Sequence, residues 1–140
     1  MEKVIERFQI IHKALKALKQ AIDDYNNLQR KEYLIYIRNS KIQSFKFCVD
    51  TLWKFLKLYF KKTAGVDVLP GPKHVFRYCL QAGITSEDET KHLLDIVDDR
   101  NLSSHTYHEE LAEELNNKIE SHYELMKKIV DSIGKKLIIK

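Results

Sequence analysis

Between Asp98 and His108 every residue but Leu102 can hydrogen-bond or ionise, in the middle of a pattern that is otherwise amphipathic and helical. The His105 imidazole can take or give a proton near neutral pH. The Arg100 guanidinium matches the non-bridging oxygens of a phosphodiester as negative charge gathers on them. Together they suit attack of an RNA 2′-hydroxyl on its own phosphodiester. In a continuous helix Arg100, Ser104 and Tyr107 share one face, and Asn101, His105 and His108 share the next. Arg100 and His105 then stand about 140° apart in azimuth. They converge only if the helix breaks between them or a second copy of the chain supplies one of them. A plainer arrangement stays open: Arg100 paired with Asp98, Asp99 or a neighbouring helix, and His105 a satisfied polar residue at a bundle end.

Other polar residues offer less. Lys73, His74 and Arg77 lie at or in a short third helix, where they suit either a phosphate-binding edge or a solvated helix start. His108 shares the face of Asn101 and is a candidate phosphate contact or proton-transfer partner. His12, His92 and His122 are isolated in sequence, without metal-ligand spacing, which predicts no metal and no cofactor. Cys48 and Cys79 stand 31 positions apart among apolar residues and read as buried thiols. No Gly-Ser turn with paired aspartates is present, so the chain is not itself a nucleotidyltransferase.

The elements that must position these groups are helices. Only four Gly and two Pro occur in 140 residues, a length that suits one domain. Val4, Phe8, Ile11, Leu15, Leu18, Ile22 and Tyr25 recur at spacings of three and four and predict a helix from about residue 2 to about residue 30. Ile42, Phe45, Val49, Leu52, Leu56 and Tyr59 predict a second over roughly 40–62, capped by Asn39-Ser40 and fading at Thr63-Ala64-Gly65. A loop follows at about 63–72. Pro72 then opens a short third helix, with Val75, Cys79 and Leu80 as its apolar face, that ends near Gly83.

Thr85 or Ser86 caps a fourth helix carrying Leu93, Leu94, Ile96 and Val97. The fifth carries Leu111, Leu115, Ile119, Met126, Ile129 and Ile133 toward Gly134 as C-cap, leaving a frayed tail over 135–140. Trp53, Phe45, Phe55 and Tyr59 read as packing residues. Phe47 and Phe55 fall off the main stripe of helix two and are candidates for a second buried face, and so for a dimer interface. The fold expected is all-α: an up-down four-helix bundle with an additional short helix.

The net charge of +4, from 24 basic and 20 acidic residues, is compatible with RNA or an acidic protein but selects neither. The N-terminus lacks a signal-peptide apolar core, and no apolar run reaches the ~18 residues of a membrane span. These features predict a soluble, cytoplasmic protein.

Asp98-Asp99-Arg100-Asn101 through His105-Thr106-Tyr107 resembles the Arg-x4-His-x-Tyr motif of HEPN proteins, in particular the HepT-type toxins. Phe45, Leu52-Trp53-Lys54, the Pro72 to Arg77 stretch and Gly83-Ile84, with their spacing to Arg100, also resemble the related nucleotidyltransferase substrate-binding proteins. The likeness runs from about Arg7 to about Ile133. Leu93 stands where many relatives carry Trp, and Phe45-Lys46 where Phe-Glu is usual.

The resemblance implies one HEPN-like helical domain over 1–140 that dimerises, with Arg100 and His105 in a cleft at the interface as the residues of a metal-independent endoribonuclease. Asn101 would support them. Tyr107 would accept adenylyl groups from a separately encoded nucleotidyltransferase acting as antitoxin, placing a bulky anion beside the cleft. The alternative it leaves open is a non-catalytic substrate-binding subunit of a two-component nucleotidyltransferase.

Overall fold

The computed structural model describes residues 1–28, 31–105 and 107–139. Five helices follow in order: α1 (Glu2–Asn27), α2 (Leu34–Ala64), α3 (Pro72–Gln81), α4 (Glu87–Leu102) and α5 (Glu109–Ile139). Single 3₁₀ turns at Lys31–Tyr33 and Ser103–His105 precede α2 and follow α4. No strand occurs among the described residues, so the chain is all-α, four long helices and one short, as the spacing of apolar residues predicts.

α2 and α5 have 31 residues each and at 1.5 Å per residue run about 46 Å, the full height of the bundle. α1 lies along α2, α5 packs on α1, α2 and α4, and α3 bridges α2 and α4. The stripes named above line one shared core: Ile11, Leu18 and Ile22 of α1 meet Phe45, Leu52 and Leu56 of α2 and Met126, Val130 and Ile133 of α5, all fully buried. Cutting any of these to Ala would cost about 2–5 kcal/mol.

Several local expectations need correction. α2 begins at Leu34, not near residue 40, and Asn39 caps nothing: its amide oxygen accepts from Arg38, at 3.3 Å from Nε and 3.2 Å from Nη2. The helix gains its extra turns because Arg38, only 2% exposed, reaches α5 and grips Glu109 and Glu113 at 2.7 and 2.8 Å. Gly134 does not end α5, and residues 135–139 are helical, not frayed. That glycine is buried where α1 comes closest: a Cβ there would stand 2.7 Å from the Phe8 Cζ.

Phe55 is fully buried against Phe8 and Tyr59, so it belongs to the chain's own core and not to an interface. Leu80 is exposed, and Phe76 takes its place on the apolar face of α3. α1 ends at Asn27 with Leu28 extended; the expected end near residue 30 lies outside the described residues, as do Thr106 and Lys140.

Other breaks fall where the residues put them. Gly65 closes α2 in the left-handed region at φ 67°, a conformation that costs glycine little. Pro72 opens α3, where its missing N–H is no loss. Cys48 and Cys79 are buried free thiols, pushed up to about 12 by burial.

Candidate functional site

α4 delivers the Asp98–Leu102 segment from a fixed start. The Ser86 hydroxyl accepts from the Glu89 N–H at 3.1 Å, and the Glu89 carboxylate accepts from the Ser86 N–H at 3.0 Å, a reciprocal cap that satisfies two otherwise orphaned donors. At its far end the helix tightens. The Ser103 hydroxyl donates to the Arg100 carbonyl, and Ser103–His105 winds as a 3₁₀ turn. The His108 N–H then donates to the His105 carbonyl at 3.0 Å just before α5 starts at Glu109. The helix therefore does break between Arg100 and His105, one of the two conditions for convergence. The break alone does not join them: no hydrogen bond links the pair among the described residues.

Arg100 instead turns to α2. Its Nε and Nη2 donate to the two carboxylate oxygens of Asp50 at 2.7 and 2.9 Å, a bidentate fork that holds the guanidinium plane. The hydrogen bond to Asp50 raises the Arg100 pKa, outweighing the opposing effect of burial. Both side chains stay partly exposed, and Nη1 takes no part in the fork. Of the alternatives open in the sequence, pairing with a neighbouring helix is the one realised.

His105 is exposed, with Nδ1 3.2 Å from the Tyr107 hydroxyl and the rings edge to face. Tyr107 is 74% exposed and also lies against His108, ring centroids 4.5 Å apart. His108 and Tyr107 border a shallow depression shared with Glu109 and Glu110, acids that disfavour a phosphate there. Asn101 is exposed on the last turn of α4. Arg77 is exposed on α3, whose first turn is tied to the start of the motif segment by the Lys73–Asp98 ion pair at 2.8 Å.

Three residues that looked isolated or incidental in the sequence form a hydrogen-bonded chain next to Arg100, with Asp99 and His122 buried and His92 half-buried. His122 Nε2 lies 2.6 Å from an Asp99 carboxylate oxygen, and His122 Nδ1 lies 2.8 Å from His92 Nε2. A carboxylate only accepts, so the His122 Nε2–H donates to Asp99, and the second hydrogen bond joins His122 Nδ1 to His92 Nε2. Phe45 stacks on His122 at 5.6 Å, and Lys118 reaches Asp99 at 3.5 Å. Burial pushes the Asp99 carboxyl up, yet the His122 hydrogen bond and the charges of His122 and Lys118 outweigh it and hold it below the usual carboxylate range. Burial, followed by the neighbouring His122, lowers the His92 pKa. Asp99 precedes Arg100, so this chain fixes the register in which α4 presents Arg100. No group of three or more His, Cys, Asp or Glu among the described residues is arranged to hold a metal.

Asp50, Arg38 and this relay are the residues that sequence reasoning missed. Partners 50, 71 and 23 positions apart leave no periodic trace. The only available signal was a charged or imidazole side chain at a core-facing position, as at Arg38 and His122.

Comparison with known proteins bears on the chain as a whole. The family model described as nucleotidyltransferase substrate binding protein like matches residues 6–135. No curated protein matches. Among solved structures, a crystal structure of a Thermus thermophilus protein is 29% identical, over 87% of this chain and 97% of that one, with a TM-score of 0.77. A Haemophilus influenzae protein, described as having the fold of a substrate binding domain of a nucleotidyltransferase, is 19% identical over 89% and 97%, also at 0.77. A toxin-antitoxin structure with AMP-PNP is 14% identical over 91% and 95%, at 0.62. At these last two identities the likeness concerns the fold.

Proposed function

Because this chain belongs to the family of nucleotidyltransferase substrate binding protein-like chains, we propose that it is the partner of a separately encoded nucleotidyltransferase and acts as a HEPN-type endoribonuclease toxin. Two copies build one cleft from Arg100 and His105. One His105 removes the proton from an RNA 2′-hydroxyl, the oxygen attacks the adjacent phosphorus, and the partner's His105 protonates the departing 5′-oxygen. The products are a 2′,3′-cyclic phosphate and a free 5′-hydroxyl. Arg100, oriented by Asp50 and supported by Asn101, takes the charge on the non-bridging oxygens through Nη1.

The observation that carries this reading is the motif's own geometry. Arg100 is pre-oriented by a fork, whereas His105 and Tyr107 stand exposed together with 3.2 Å between Nδ1 and hydroxyl. An adenylyl group on Tyr107 would sit over His105 and bring negative charge where the substrate phosphate must approach. A second copy has a place to dock: Ile10 and Phe47, 49% and 57% exposed, border an apolar depression with Ala14 and Ala17 on the α1–α2 face.

Induction of the wild type in a bacterial host should arrest growth and deplete RNA, while Arg100→Ala and His105→Ala grow normally as folded dimers. Tyr107→Phe should still cleave yet gain no adenylyl mass on co-expression with the transferase. One observation favours the alternative, a non-catalytic substrate-binding subunit: Asp50 already occupies the forked edge of Arg100. On that reading all three chains grow equally and each still binds the transferase.

A further inference from the structure

Phe47, Asp50, Lys54, Lys57 and Lys61 recur on α2 at spacings of three and four, which sets them along one face. The core-facing stripe of α2 does not include them, so the fold does not require this row. At 1.5 Å per residue, Asp50 to Lys61 spans about 16 Å. Two depressions follow the row. One is bordered by Arg7, Phe47, Asp50 and Lys54, the other by Arg7, Trp53, Lys54, Lys57 and Lys61. They share Arg7 and Lys54 and so form one groove, with the Asp50–Arg100 fork at its end.

The charge in this groove is lopsided. Its acids are already committed, Asp50 to Arg100 at 2.7 Å and Asp67 to Lys57 at 2.9 Å. Arg7, Lys54 and Lys61 make no direct ion pair among the described residues, although Asp67 feels the charge of Lys61, and all three are exposed. On α5, by contrast, Lys127 and Lys128 are met by Asp131 and Glu89. Trp53, half-buried, borders the groove with the Lys54 ammonium 5.7 Å from its ring centroid. A row of unpaired cations beside an aromatic ring is the chemistry that follows a flexible polyphosphate backbone and stacks a base without reading sequence.

We infer that this α2 groove is the track along which single-stranded RNA approaches Arg100, its phosphates held by Arg7, Lys54 and Lys61. The inference rests on the ribonuclease reading for what happens at Arg100, but the binding it asserts is independent of cleavage.

The test uses a 5′-fluorescein oligouridylate and the full chain carrying His105→Ala, so that the probe survives. Anisotropy is titrated from 0.05 to 1 M salt. Trp53 is the one tryptophan in the sequence, so its emission reports occupancy of this groove separately. Each phosphate contact on a single strand contributes a slope of about 0.7 in log affinity against log salt. Lys54→Ala/Lys61→Ala should therefore flatten the slope by about 1.4 and weaken binding about 25-fold at 0.1 M salt. Trp53 quenching should accompany binding, and Lys128→Ala/Lys135→Ala on α5 should leave both readouts unchanged.

Absence of saturable binding at 0.05 M salt would overturn the track, as would an equal loss from the α5 pair. Unchanged RNA affinity in the Lys54/Lys61 variant, with loss of transferase association, would make the groove a protein-docking surface instead. Growth arrest that depends on His105 while the groove binds no RNA would sink the track and leave the catalytic reading standing. Groove binding without arrest would support the track and sink the ribonuclease.

Discussion

Removing His122 isolates a carboxylate inside the bundle, and the size of the effect can be worked from its surroundings. In His122→Leu the side chain still packs under Phe45, but Asp99, 5% exposed, loses the imidazole 2.6 Å away. Breaking a buried pair by removing one partner costs about 3–5 kcal/mol. Lys118, already 3.5 Å from the carboxylate and half exposed, can move in, which reduces the expected cost to about 2–3 kcal/mol. With an unfolding entropy near 2.1 cal/mol/K per residue, a chain of 140 residues should melt about 8 °C lower. Replacing both partners, in Asp99→Leu/His122→Leu, removes the stranded charge and should recover to within about 1 kcal/mol of wild type. Circular dichroism melts at pH 7 and one fixed protein concentration make the comparison. The reasoning fails if His122→Leu melts within about 2 °C of wild type, equivalent to roughly 0.6 kcal/mol, or if the double variant is no more stable than the single one.

The same relay sets a pH dependence. The His92 pKa is lowered by burial and by His122, so the unfolded chain binds its proton more readily; the stability this gives is full above about pH 6.5 and lost as pH falls through the folded value. Urea midpoints should drop between pH 7 and pH 5, and His92→Gln should remove that drop. Gly134→Ala gains about 1 kcal/mol of helix propensity but meets the Phe8 ring at 2.7 Å. Overpacking of about 1–3 kcal/mol should leave it less stable, with Phe8→Leu relieving the loss; a higher melting temperature for Gly134→Ala alone would refute the close approach. Cys48 and Cys79, buried thiols with pKa values pushed up to about 12, should ignore a thiol reagent at pH 8 until denaturant is added; native reaction of either would place it at the surface.

The helices were legible because amphipathic periodicity is a local signal repeated many times over. Val4 to Ile22 and Ile42 to Tyr59 needed no tertiary information, and Ser86, Pro72 and Gly65 announce their breaks through backbone chemistry. Local logic failed where a distant partner overrode it. Asn39-Ser40 looks like a cap until Arg38 finds Glu109 and Glu113, and Gly134 looks like a stop until Phe8 is seen to need its missing Cβ. The motif itself stood out by composition. Its support did not: Asp50, although the single acid of α2, lies 50 positions from Arg100, and His92 and His122 are 30 residues apart, pairings set only once the helices lie side by side.

α4 has one firm end and one soft end. Its first turn is locked by the Ser86–Glu89 cap, while its last turn passes into a short 3₁₀ segment at the protein surface. Amide protons should therefore exchange along a gradient, slowest in the Leu93–Val97 core layer and fast at Ser104 and His105, because local opening there disrupts few buried contacts. Arg100 sits on the slow side of that gradient and His105 on the fast side. The cation should thus keep a fixed position on the timescale of bundle unfolding while the imidazole samples orientations far more quickly, a division between a rigid anchor and a mobile proton carrier that the proposed ribonuclease would use.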